Sequence, residues 1–144
     1  VITQADETLL RRAIAIAAQA ITVGDAPYGS LLADAYGTIL IEAHNTVRSD
    51  NDISAHPELK LARWAARELT AEEASRTTMY TSCQPCEMCS GGIVRSGLGR
   101  VVYALATEQL LTLNPGSRWP VVTPEGPALF EEARVPIEEY YRSR

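Results

Sequence analysis

Apolar and polar positions along the chain alternate between two periods. Over residues 6–21, DETLLRRAIAIAAQAI repeats Leu9, Ala13, Ile14, Ile16, Ala17 and Ile21 mostly at helical spacing, with acids first and an aspartate near the start as a cap, which predicts a first helix. After the turn-like VGDAP, the run YGSLLADAYGTILIEAH reads as two strands joined by a tight turn at Tyr36, Gly37 and Thr38, with His44 at the far end of the hairpin. PELKLARWAAREL (57–69) returns to helical spacing at Leu59, Leu61, Ala62, Ala65, Ala66 and Leu69, and Pro57 falls where a first helical turn tolerates proline. The strand formers TTMYTS (77–82) lead into a third helix that runs through Ile93 and Val94 and stops at Gly97 and Gly99, and a short apolar strand follows at 100–104.

The order α, β, β, α, β, α, β predicts an α/β fold, a mixed sheet with helices on its faces, because a strand–helix–strand crossover favours parallel pairing. Past Thr107 the pattern fades. LNPGSRWPVVTPEGP holds four of the eight prolines, and ALFEEARVPIEEYYRSR predicts one short helix and an amphipathic end. We read 1–144 as one domain, with 107–144 its least defined segment.

With 144 residues, 46% apolar and 22% charged, the chain can bury a core without disulfides. A net charge of -5, with Lys60 the one lysine, offers no general basic surface and points to a small molecule rather than nucleic acid as partner. No apolar run approaches the roughly 18 residues that span a bilayer, and ITQADETLLRR lacks the order of a secretion signal, so the expectation is a cytoplasmic protein with no membrane contact.

All three cysteines lie in TSCQPCEMCSGG (81–92), a spacing that as a disulfide framework leaves an odd thiol and very small loops. Cys86 and Cys89 instead stand one turn apart at a helix start, whose positive end favours thiolates, so both can hold one metal ion. His56, at the mouth of the second helix, is a better third ligand than His44 at the end of a strand. Three protein ligands leave a tetrahedral zinc one corner for water, and zinc lowers the pKa of such a water. Two thiolates also cancel the charge of Zn2+, which makes a neighbouring base important, and Glu58 is two residues from His56.

Each of these residues also has a plainer reading. Cys83 or His44 could close a structural zinc site, while an iron–sulfur cluster would want a fourth thiol. Glu58 alone would be a helix-start carboxylate, Asn45 a turn residue and Tyr28 a core aromatic. Cys83 reads as a small buried hydrophobe, His44 as structural and Trp64 as packing.

His56-Pro57-Glu58 followed by Pro85-Cys86-Glu87-Met88-Cys89 resembles the H-x-E and P-C-x-x-C signature of zinc-dependent nucleobase and nucleoside deaminases of the cytidine deaminase-like superfamily. APYGSLLAD, AHNT, SAHPE, YTSCQPCEMC and GRVVYAL are similar to their counterparts in bacterial guanine, cytosine and tRNA adenosine deaminases, across roughly the first 100 residues. The resemblance implies a three-layer α-β-α sandwich with a central mixed sheet. It also implies Zn2+ on His56, Cys86 and Cys89, and Glu58 as the catalytic proton shuttle in hydrolytic loss of an amino group as ammonia. Asn45 matches an asparagine that binds substrate, Tyr28 falls where a side chain lines the ring pocket, and Glu108 and Trp119 fall in the region forming its far side. Pro57 departs from the small residue usual there and removes a backbone N–H.

By the same likeness the substrate is a small free heterocycle, guanine- or cytosine-like, in purine or pyrimidine metabolism, and the enzyme a homodimer. Two rivals stand beside this reading. A tRNA-specific adenosine deaminase would need basic residues around the pocket, and a noncatalytic zinc module would keep the metal for stability alone.

Overall fold

Thr3 opens the first helix by accepting from the Asp6 N–H while the Asp6 carboxylate accepts from the Thr3 N–H, so Asp6 is the third helical residue of a capping box and not the cap itself. The computed structural model describes residues 1–144. That helix, α1, covers Gln4–Thr22, and β1 (Gly29–Ala33) and β2 (Ile39–His44) follow as the antiparallel hairpin the alternation predicts. Then come a short helical turn α2 (Val47–Asp50), α3 (Pro57–Glu68), short α4 (Ala71–Ser75), β3 (Thr78–Cys83), α5 (Glu87–Ser96) and β4 (Arg100–Leu105). The chain ends with α6 (Thr107–Leu113) and α7 (Phe130–Arg142). No helix is long and apolar enough to cross a membrane.

The sheet order is β2-β1-β3-β4. β1 is antiparallel to both neighbours, and β3 runs parallel to β4 through the α5 crossover, so the sheet is mixed. Alternate side chains go to opposite layers. Leu31, Ala33, Tyr80 and Val102 pack with Leu10 and Ile16 under α1, whereas Leu32 and Met79 pack with Leu61, Ala62, Ala65 and Ile93 under α3 and α5. The result is the three-layer α-β-α arrangement, with β1 buried along its whole length.

Two glycines set how closely the layers approach. A Cβ on Gly29 would lie 2.6 Å from the Ala13 carbonyl oxygen, so only glycine lets α1 lie flat on β1. A Cβ on Gly92 would lie 2.5 Å from Leu59 Cδ1, so glycine also brings α5 against α3. The face of α1 differs from the predicted one. Ile14 and Ile21 are exposed, and the buried stripe is Leu10, Ala13, Ile16, Ala17 and Ala20, in which small residues admit the sheet. Every residue from 118 to 144 is exposed.

Candidate active site

The α3–α5 contact brings two helix starts together at the carboxyl ends of β3 and β4, where parallel strands leave a crevice. His56 is the N-cap of α3, with Pro57 at the first helical position, and Cys86 is the N-cap of α5. Cys89, one turn further on, is buried behind it.

His56 Nδ1 stands 3.6 Å from Cys86 Sγ and 3.4 Å from Cys89 Sγ, and all three donor atoms lie within 4.8 Å of one another. Three donors on one tetrahedral zinc, at bond lengths of about 2.05 Å to nitrogen and about 2.3 Å to sulfur, stand about 3.5 Å apart from nitrogen to sulfur. The donor set and its spacing therefore fit zinc, with one side of the group open. Cys83 and His44 do not join it.

The Cys89 thiol and the neighbouring His56 hold Cys86 well below an ordinary thiol, while the same hydrogen bond and burial push Cys89 up. His56 is raised by its contact with Cys86.

The cavity before this group has a volume of about 610 Å³, and its lining includes Glu58, His56, Pro57, Cys86, Asn45 and Tyr28. Glu58 is buried, and burial pushes its carboxyl up to about 7. Asn45 is 4% exposed, and its Oδ1 accepts from the Val47 N–H at 3.0 Å. Because a backbone N–H can only donate, the amide orientation is fixed and the Asn45 NH2 is left without a protein acceptor at the cavity. Tyr28 lies opposite, where its carbonyl accepts from the Asn45 N–H at 3.0 Å and so extends the hairpin ladder to the cavity wall. Burial raises its phenol.

Trp119 lines the cavity but is 81% exposed, which puts it at the mouth. Glu108 is exposed on α6 and outside the lining, where Thr107 and Leu110 of the same helix stand instead. Trp64 packs on the core. Sequence reasoning missed Asp25, a buried carboxylate that accepts from the Ser49 N–H (2.9 Å) and hydroxyl (2.7 Å) and so anchors α2 beside the cavity. Nothing in VGDAP distinguishes that aspartate from an ordinary turn residue. Gln84 also acts structurally, its Oε1 accepting from the Thr107 N–H at 3.0 Å.

Residues 3–105 match the family described as the cytidine and deoxycytidylate deaminase zinc-binding region. A probable cytosine deaminase of Schizosaccharomyces pombe is 33% identical over 116 residues, 81% of this chain and 70% of that protein. Guanine deaminase of Bacillus subtilis is 36% identical over 99 residues, 68% of this chain and 63% of that protein. An X-ray structure of guanine deaminase from Bacillus subtilis superposes with a TM-score of 0.78 at 27% identity, covering 94% of this chain and 93% of that one. A tRNA-specific adenosine deaminase of Haemophilus influenzae is 32% identical over 98 residues, 68% of this chain and 57% of that protein. Similarity to that relative weakens the expectation that nucleic acid is not a partner.

Proposed function

The chain belongs to the cytidine and deoxycytidylate deaminase zinc-binding family and is a hydrolytic deaminase, and from that premise we propose that it removes the amino group of a free guanine- or cytosine-like base. The observation that carries this reading is the meeting of Glu58 with the His56, Cys86 and Cys89 donors at one cavity that Asn45 and Tyr28 also line. The extent of the likeness to guanine deaminase, which runs through nearly the whole of both chains, favours a free base over tRNA.

His56, Cys86 and Cys89 would hold zinc, which when bound supplies the Lewis acidity that makes water a nucleophile near neutral pH. Glu58 takes one proton from the attacking water and delivers it to the ring nitrogen beside the amino-bearing carbon. It then passes the second proton to the departing amine. Oxygen replaces nitrogen on the ring and ammonia leaves, so the carboxylate ends as it began. The Asn45 side-chain amide, whose Oδ1 accepts from the Val47 N–H, donates through its NH2 to a ring acceptor, and Tyr28 and Trp119 bound the ring. Pro57 offers no backbone donor, so recognition falls to these side chains. The thiols such a site needs fit a reducing compartment such as the cytoplasm.

An ammonia-release screen over guanine, cytosine, adenine, their nucleosides, pterins and triazines tests the reading, alongside inosine formation in an anticodon hairpin at two salt concentrations. Release is expected from guanine or cytosine. Inosine formed with no release from any free base would establish the tRNA activity in its place. Glu58→Ala is expected to keep fold and zinc while losing roughly 10³-fold or more in rate. Turnover undiminished in that variant would remove Glu58 from its role, and an inactive wild type that keeps zinc would favour the noncatalytic module.

We also propose a homodimer formed through the C-terminal segment. Its support is the exposure of Leu129, Phe130, Ile137 and Tyr141 on and beside α7, and a likeness to the guanine deaminase crystal structure that extends into this tail.

A further inference from the structure

Lys60 is half-buried on α3, one turn beyond His56 and two residues beyond Glu58, and its backbone N–H donates to the His56 carbonyl at 3.0 Å. Its ammonium reaches across to the end of the hairpin. Nζ donates to the His44 carbonyl at 2.9 Å and to Thr46 Oγ1 at 2.5 Å, the two residues on either side of Asn45. The Thr46 hydroxyl in turn donates to Asp50 Oδ2 at 2.7 Å, and the Thr46 N–H to the Ala55 carbonyl at 3.0 Å.

A loop after a strand is ordinarily free to shift by the fraction of an ångström that spoils a hydrogen bond to substrate. Here one side chain spans from the helix that carries His56 and Glu58 to both neighbours of Asn45. Burial disfavours the charged lysine, while Asp50, Asp25 and Asp52 favour it. A half-buried ammonium is held where hydrogen bonds replace the water it loses, and those of Lys60 go to the two residues flanking Asn45.

We infer that Lys60 is a positioning residue that fixes the Asn45 amide at a set distance from the Glu58 helix. It touches no substrate and acts through Asn45. The inference rests on the reading of Asn45 as a substrate contact given above. A ligated or reacting role is not needed for it, because the three metal donors and Glu58 are assembled without Lys60.

The test is Lys60→Met, which keeps the stem and removes the ammonium, with Thr46→Val as a second variant that deletes one of its acceptors. Amide hydrogen exchange at Asn45 and Thr46 is expected to rise in both, with α3 beyond Leu61 unchanged. With guanine as the probe, KM is expected to rise about tenfold, the loss of a hydrogen bond to a charged group, while kcat changes much less. In an Asn45→Ala background the same substitution is expected to add nothing, since both act through one contact.

Unchanged exchange at Asn45 and Thr46, or full additivity with Asn45→Ala, would overturn the inference. Should Lys60→Met not fold, Thr46→Val carries the same cycle. If the wild type deaminates no base, the functional reading fails on its own, and the exchange data still decide whether Lys60 holds the loop.

Discussion

Cys83 and Cys86 are three residues apart, as are Cys86 and Cys89, yet only the second pair can share an ion. Cys83 ends β3, and from there the chain turns before α5 begins, so equal spacing in sequence becomes unequal direction in space. Dialysed Cys86→Ser and Cys89→Ser are therefore expected to lose zinc, and Cys83→Ser to keep it at wild-type stoichiometry, as read by metal analysis of the folded proteins. A second residue-scale prediction lies on the opposite face of the sheet. Buried Asp6 accepts from Arg100 through two nitrogens at 2.9 and 2.8 Å and from the Tyr80 hydroxyl at 2.7 Å. The Arg100 guanidinium first, then the Thr3 N–H and Tyr80, hold its carboxyl well below the usual aspartate range. A depressed carboxylate contributes stability above its unfolded value of about 3.9 and gives it up as pH falls below that toward the folded value. Asp6→Asn is expected to cost about 2 kcal/mol, or roughly 7 °C in Tm, at pH 7, less than a fully buried broken pair because Arg100 remains half in water. The gap between the two proteins should narrow on melting below pH 3.

At the scale of elements, the site depends on how α3 and α5 meet, because each contributes metal donors from its first turn. Gly92 is the close point of that contact. Gly92→Val would drive a branched side chain into Leu59, with an expected cost of about 1–3 kcal/mol and a measurable fall in zinc retention against a competing chelator. Gly91→Ala is the control, since a Cβ there meets nothing nearer than the Arg95 guanidinium at 3.4 Å, and it should melt at or above the wild type. The elements legible in the sequence are those long enough to show a period: α1, the hairpin, α3, β3, α5 and β4, with α7 expected as a short helix and found to run 13 residues. The helices α2, α4 and α6 are short, seven residues at the most, and so cannot display an amphipathic repeat. The site divides in the same way. His56, Glu58, Cys86 and Cys89 carry their signal locally, in pairs set by helix geometry, whereas Asp25 and Ser49 meet only because the loop after α1 folds beside α2. Lys60 is visible as the one lysine, but its direction exists only once β2 and α3 are packed.

For the molecule as a whole, the unbalanced feature is the tail. Residues 118–144 are all exposed, yet they include Val121, Val122, Leu129, Phe130, Val135, Ile137, Tyr140 and Tyr141. On α7, Phe130, Ile137 and Tyr141 are seven and four residues apart and so share one stripe with Arg134, whose guanidinium lies over the Phe130 ring and bonds to Glu131 and Glu138 at the edge of that stripe. A soluble chain rarely carries such a stripe uncovered, and a second copy covers it symmetrically if each tail crosses to its partner. Light scattering of the wild type is then expected to give twice the chain mass. The double variant Ile137→Asp, Tyr141→Asp should give a single chain mass, with the α-β-α body intact by circular dichroism, because none of the core residues lies beyond 117. The consequence reaches the site as well. Trp119 stands at the cavity mouth and opens the same tail, so releasing the tail should free it, raising KM for the base more than it lowers kcat. A wild type that sediments as a monomer at micromolar concentration would remove the dimer and, with it, this link between assembly and the pocket.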